Sequence, residues 1–230
     1  RDALIWESVK SICDKPTSLF DMPKIIFVNK NHKDFCEDSI LHPDLKSDLT
    51  DNGIDENYVK VVEDIDVFVK EYIKPKQKIL NDILDELNTE KQYNRINLDI
   101  EVENRIEKFL LHRQFDYEDS PFRQEFENPS VVGIEEAVFK VIDVRQISEA
   151  EILVELTIDV ECEFDFYIFK SDAICMDEDE LPTIWDNDWN KHYMAASDTA
   201  LVKLKMSLIV DAGFSEILSD DMEIVSFDEC

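Results

Sequence analysis

Residues 151–169 constrain this chain more than any other segment. Ile152, Val154, Leu156, Ile158, Val160, Cys162, Phe164, Phe166 and Ile168 fall on one side, while Glu151, Glu155, Asp159, Glu161, Glu163 and Asp165 fall on the other. Successive strand side chains point to opposite faces, so a strict period of two predicts a long strand, or two strands joined by a bend, with one core face and one solvent face. Residues 134–145 and 200–211 alternate as well, and 222–227 offers a further strand. An antiparallel sheet with one wet face is the expected result. Its acidic side admits two readings: a solvated face, or a docking surface that engages a basic partner or mimics nucleic-acid charge. Lys203 and Lys205 share one side of their strand and can pair across to those acids if the strands are neighbours.

Before this sheet the period is mostly helical. Residues 2–13 read as a helix, with Ile5, Val9 and Ile12/Cys13 on one face and Asp2 in the first turn, where an acid suits the helix dipole. Residues 24–29 read as a strand apolar on both faces, which implies a parallel sheet covered by helices. A proline-containing connection over 41–49 and a turn at Asp51-Asn52-Gly53 follow. Helices are predicted at 55–73 (Val61, Ile65, Phe68, Tyr72), broken by Pro75, then at 76–88 and 98–114, with a polar, acidic linker over 115–131. The expected organisation is residues 1–92, then 93–130 as helix and linker, then 131–230 as an antiparallel β domain.

Composition excludes several functions. Three glycines in 230 residues leave no glycine-rich phosphate loop. The net charge of −30 is concentrated late: 20 acids face 12 bases over residues 1–90, and 34 face 12 beyond. Such a field repels polyanions and acidic lipid surfaces, favours basic partners, and opposes non-specific grip on nucleic acid by counterion release. Five cysteines, odd in number and never CxxC-spaced, suit small buried thiols in a reducing cytosol. No apolar run is long enough for a membrane span and no signal peptide is visible. Lacking an initiator Met, the chain is expected to be a fragment or processed product.

Two segments carry candidate chemistry: Asp2-Ala3-Leu4-Ile5-Trp6-Glu7, and Ile25-Ile26-Phe27-Val28-Asn29-Lys30-Asn31-His32-Lys33-Asp34-Phe35 followed by Leu41-His42-Pro43-Asp44-Leu45. Together they resemble the C-terminal half of bacterial PIN-like nuclease domains, over roughly residues 1–50 and on into the helices up to 90. The resemblance implies a PIN-like αβα sandwich, incomplete at its N-terminus, joined to a mainly antiparallel α+β C-terminal domain. It implies Mg²⁺ or Mn²⁺ held by acids at the edge of a parallel sheet, with RNA or single-stranded DNA as substrate. Asp2 then stands as the helix-borne metal acid, and Asn31 or Asp34 at the place of the last acid. The usual Thr-x-Asp of that turn reads Asn29-Lys30-Asn31 here, so an amide stands where a carboxylate is common. Hard divalent cations take oxygen ligands, polarise a phosphodiester and lower the pKa of a bound water. Without the resemblance, Asp2 reads as a helix-initiating acid and Asp34 as a surface turn residue. Glu7 points away from Asp2.

Other motifs are weaker. Asp186-Asn187-Asp188-Trp189-Asn190 opens like a calcium loop but has Lys191 and Ser197 where a glycine and the closing acid belong. Trp185 and Trp189, one helical turn apart, are expected to pack a loop or short helix onto the β core, with ligand stacking as the alternative. Asp177-Glu178-Asp179-Glu180 reads as a solvated acidic loop. His32, His42, His112 and His192 never fall at i, i+4, which removes the zinc-peptidase motif. The leading expectation is a cytoplasmic PIN-like endonuclease of the toxin or phage-defence kind, with catalytic Asp2 and Asp34. The alternative is a non-catalytic interaction protein whose acidic β domain binds a basic partner.

Overall fold

Trp6, Val9 and Cys13, spaced as one helical face, are the buried positions of the first helix, α1 (Asp2–Cys13). Ile12, expected on this face, is 52% exposed, and Ile5 is only half-buried; the stripe turns toward Trp6, whose indole is the largest apolar group on the helix. The computed structural model describes residues 2–13, 25–30, 32–37, 40–116, 119–122, 126–177 and 181–229. They divide into two units, residues 1–79 and 80–230.

In the first unit β1 (Ile25–Val28) is followed by a short antiparallel pair, β2 (Cys36–Glu37) and β3 (Ile40–Leu41), then α2 (Pro43–Asp51) and β4 (Val59–Val62). β1 and β4 pair in parallel, Ile25 opposite Val59 through Val28 opposite Val62. The parallel pairing expected of residues 24–29 is present, but a two-stranded sheet cannot cover both faces. β1 is therefore half-buried, and Val28 is exposed. Two expectations change here. Residues 41–49 contain a helix, because Pro43 stands at its first position, where a missing N–H costs nothing. His42 caps it, its Nδ1 accepting from the Asp44 N–H at 3.3 Å. Asn52 and Gly53 (φ +73°) end it. Residues 59–62, predicted helical, form β4 because Val-Lys-Val-Val is β-branched and alternates.

Asp64 caps the next helix, α3 (Ile65–Phe68), accepting from the Val67 N–H at 2.9 Å. Pro75 was expected to break the helical run. Instead a single wide π turn spans Val69–Ile73 and leads directly into α4 (Lys74–Thr89). A mid-helix proline lacks an N–H and crowds the carbonyl four residues back; the widened turn just before Pro75 absorbs that conflict.

After the part of α4 that belongs to it, the second unit continues with the hairpin β5 (Gln92–Tyr93) and β6 (Ile96–Asn97), then α5 (Leu98–Leu110), shorter than the predicted 98–114. Four long strands follow: β7 (Glu127–Gln146), β8 (Glu151–Phe169), β10 (Tyr193–Asp211) and β11 (Ile217–Glu229), with the short helix α6 (Lys170–Ala173) and strand β9 (Thr183–Asp186) between β8 and β10. The sheet is antiparallel in the order β11-β10-β8-β7, with β9 added to β10. β8 is one unbroken strand, and its alternate residues from Ile152 to Ile168 are all buried. They share a core with Ile83 and Leu87 of α4 and with Leu98, Val102, Ile106 and Leu110 of α5. The chain is thus mixed α/β, with helices and a large antiparallel sheet.

Residues 115–131, expected as a linker, hold Phe115, Phe122 and Phe126, which pack on the end of β8. Phe126 stacks on Phe166 at 4.3 Å between centroids. Three phenylalanines spread among many acids make no sustained periodic run, which hid them. The outer edge of β7, with register shifts at four points, is also covered. Val131 exchanges backbone bonds with His112 and Arg113, and the Phe115 N–H donates to the Pro129 carbonyl. Lys91 Nζ donates to the Phe139 carbonyl. Asn88 of α4 acts as a one-residue strand: its Nδ2 donates to the Val141 carbonyl at 2.9 Å, and its Oδ1 accepts from the Val141 N–H at 3.0 Å. Capping an edge in this way suppresses pairing with foreign strands. Asn88→Ala strands two partly buried backbone groups and is expected to destabilise the second unit by about 1–3 kcal/mol, measured by urea unfolding under circular dichroism.

Candidate functional site

The turn after β1 is held by aromatic packing. Phe35, almost fully buried, meets Phe27 edge-to-face at 5.0 Å between centroids. Beyond the strand the Asn29 N–H still donates to the Val62 carbonyl at 3.0 Å, and the Phe35 carbonyl accepts from the His42 N–H at 2.8 Å. Between these anchors lies a single 3₁₀ turn, His32–Asp34. Lys30, Lys33 and Asp34 are exposed there. Of the sequence-predicted ligands, the backbone of Asp2 opens α1, its side chain lies outside the described set, and Asn31 lies outside the described residues altogether. Among the described residues no three His, Cys, Asp or Glu side chains converge as a metal-binding group.

A polar cluster missed in the sequence ties α1 to α2. Asp48 accepts from the Trp6 indole N–H at 2.7 Å and from Lys10 at 2.8 Å, and Lys10 also reaches Glu7 at 2.8 Å. Hydrogen bonds from Lys10 and Trp6 hold the Asp48 carboxyl below the usual range, and Asp48 and Glu7 raise Lys10 in turn. Asp48 sits in the stretch read as a connection, so only the hidden helix α2 explains its position. Glu7 is a surface residue, as expected. Cys36 is buried, which pushes its thiol up, and the His42 ring is engaged with the Asp44 N–H.

In the second unit the solvent side of the sheet carries the acids. Glu155 pairs with Lys205 and with Arg145, both at 3.3 Å. Lys203 stands opposite Asp159 in the ladder but reaches the other way, to Asp228 at 2.5 Å. The cross-strand pairing anticipated for Lys205 is therefore present. Toward the far end of β8 the balance changes: Glu161 stands opposite Glu136, Glu163 opposite Gly133, and Asp165 opposite Ser130. Trp185 lies on β9 and Trp189 in the turn after it; they are 51% and 48% exposed rather than packed into the core. In the loop that resembled a calcium site, Asp186 accepts from the Asp188 N–H at 2.9 Å and Asp188 pairs with Lys170 at 2.8 Å, so a lysine already neutralises it. Glu178, Asp179 and Glu180 of the acidic loop lie outside the described residues. Cys13, Cys36 and Cys162 are buried thiols and Cys175 an exposed one; Cys230 lies outside the described residues.

No protein-family model, curated protein or solved structure matches this chain. Among the described residues no helix is long and apolar enough to cross a membrane.

The Asp48 cluster sets a pH response. Its carboxyl is depressed when folded, so its contribution is present above the unfolded value near 3.8 and is lost as pH falls through the lower folded value. Asp48→Asn is expected to be less stable than wild type at neutral pH and to lose less stability between pH 4 and 2. Urea unfolding at a series of pH values, followed by circular dichroism, checks both effects.

Proposed function

We propose that this chain carries the C-terminal part of a PIN-like, metal-dependent nuclease that hydrolyses phosphodiester bonds, in RNA before single-stranded DNA. The observation that supports this most is local. β1 pairs in parallel with β4 and ends in an anchored polar turn bearing Asp34. The carboxyl ends of parallel strands are where open α/β sheets gather their ligands. The preceding helix, α1, opens with Asp2 and carries its buried stripe in the same core as Phe27 and Phe35.

In this reading Asp2 and Asp34 supply carboxylate oxygens and Asn31 an amide oxygen to Mg²⁺ or Mn²⁺, a donor set suited in kind to a hard divalent cation. The bound ion would polarise the phosphodiester and lower the pKa of a water. Among the described residues no three-ligand group assembles, so this reading calls for further acids beside Asp2, Asn31 and Asp34. Lys30 and Lys33, exposed on either side of Asn31, provide positive charge for a phosphate. The first unit is also the less acidic: it holds 16 acids and 12 bases, against 38 and 12 in the second. A toxin or phage-defence role in the cytoplasm goes with the same reading. Mn²⁺-dependent cleavage of single-stranded RNA by the full-length protein is expected to fall at least 100-fold in Asp2→Asn and in Asp34→Asn, read from end-labelled RNA on a denaturing gel. Wild-type rates in both variants would remove the proposal.

A second reading is favoured by the open side of the large sheet, where Glu161, Glu163 and Asp165 have no ion-pair partner among the described residues. Here the second unit binds a basic polypeptide. Salt-sensitive capture of a polycationic peptide by the chain supports it, and no capture at low salt opposes it.

A further inference from the structure

We propose that the Trp185–Trp189–Tyr167 cluster, with the neighbouring carboxylates of Asp165 and Glu163, is a docking site for an arginine-containing basic peptide segment. This rests on the second reading above and gives it a place and a chemistry.

Two features coincide at one end of the sheet. The first is aromatic. Trp189 stacks on Tyr167 with centroids 5.3 Å apart and planes 26° from parallel, and Trp185 meets Trp189 at 6.2 Å, edge to face. Phe169 and Tyr193, neighbours in the ladder, continue the surface with centroids 4.2 Å apart. By register these strand residues share the solvent side with the acids of β8. Ala195, opposite Tyr167 on that side, is fully buried, so this end of the sheet is covered there rather than open. Both indoles nevertheless leave about half their surface to solvent. Adjacent exposed aromatic rings make a contiguous apolar patch of the kind that marks interaction sites.

The second feature is unbalanced charge beside that platform. Going along β8 from Glu155, the described cations bypass the next acids: Lys205, Arg145 and Lys203 are spent on Glu155 and Asp228, and Lys170, just past the far end of the strand, on Asp188. Among the described residues, Glu161, Glu163, Asp165 and Glu127, which faces Tyr167 from β7, have no cation within ion-pair distance. Gly133, opposite Glu163, leaves the room that the Glu163 side chain takes up; a Cβ there would lie 3.1 Å from Glu163 Oε2. Desolvation, with the Glu127 carboxylate adding to it, raises the Tyr193 phenol.

Carboxylates beside exposed indole faces select a cation that can stack. A guanidinium does both, lying over a ring while donating to a carboxylate, and Arg is the commoner partner of Trp in such contacts. A second copy of this chain, a nucleic acid or an anionic membrane brings the wrong sign of charge to this surface.

The test uses the whole chain and two synthetic peptides of equal length and charge, an arginine–serine repeat and a lysine–serine repeat, titrated while tryptophan emission and peptide anisotropy are followed. The arginine peptide is expected to shift tryptophan emission and to bind at least fivefold tighter than the lysine peptide. Trp185→Ala/Trp189→Ala is expected to weaken it at least tenfold, and Asp165→Asn/Glu163→Gln at least threefold. Glu149→Gln/Glu151→Gln removes the same charge at the other end of β8, roughly 50 Å away at strand spacing, and is expected to stay within twofold of wild type. Circular dichroism verifies folding, and Trp185→Phe/Trp189→Phe replaces the alanine pair if that pair unfolds. Binding that persists equally in the tryptophan and Glu149/Glu151 variants overturns this site while leaving a basic partner elsewhere on the sheet. Absence of peptide binding overturns both.

Discussion

The strict division of β8 into an apolar and a polar side governs the second unit. Every even-numbered residue from Ile152 to Ile168 is buried, and every odd one keeps some contact with solvent. β8 lies in the interior of the sheet and is paired along its whole length with β10, Glu151 opposite Asp211 through Phe169 opposite Tyr193. A slip of one residue would put the six acids in the core and nine apolar groups in water, so register and face are set together. The helices follow from this, since one sheet face needs cover. α4 and α5 bring leucine, isoleucine and valine to it at helical spacing. β7 tolerates its register shifts because β8 beside it does not bend to them.

How much of this is legible in sequence depends on whether a residue's partner lies within its own period. The long strands were readable because alternation is a local property, visible without knowing the neighbour. So was the turn carrying Asp34, since a polar run follows an apolar strand. α2 was hidden by Pro43, a helix breaker in the interior and a helix starter at the first position. β4 was hidden because Val59, Val61 and Val62 run on into Ile65, Phe68 and Tyr72 at intervals that also fit a helix. Asp48 and Asn88 could not be read at all. Each acts through a partner more than forty residues away, on an element whose position no local pattern gives.

The aromatic platform was misread for a related reason. Trp185 and Trp189 are four apart, which on a helix makes one face and suggests core packing. Here a strand ends at Asp186 and a turn follows, so the same spacing lifts both rings onto the outer side of the sheet. Spacing carries meaning only after the backbone is known. Of the proposed metal ligands, chemical type and order along the chain are what a sequence can carry.

A strongly acidic unit in a protein proposed to act on nucleic acid is not a contradiction in electrostatic terms. At physiological ionic strength a surface charge is felt over about 8 Å, so the acids of the second unit act chiefly on whatever touches that unit. The first unit is close to balanced, and its lysines at positions 30 and 33 border the turn where a phosphate would have to approach. Charge segregated in this way gives the two units different tolerances: the first repels a polyanion far less than the second. A basic, stacking ligand meets the opposite preference. Within the sheet, Glu161 facing Glu136 is mildly destabilising, and a surface that keeps like charges adjacent is the one on which an incoming cation gains most.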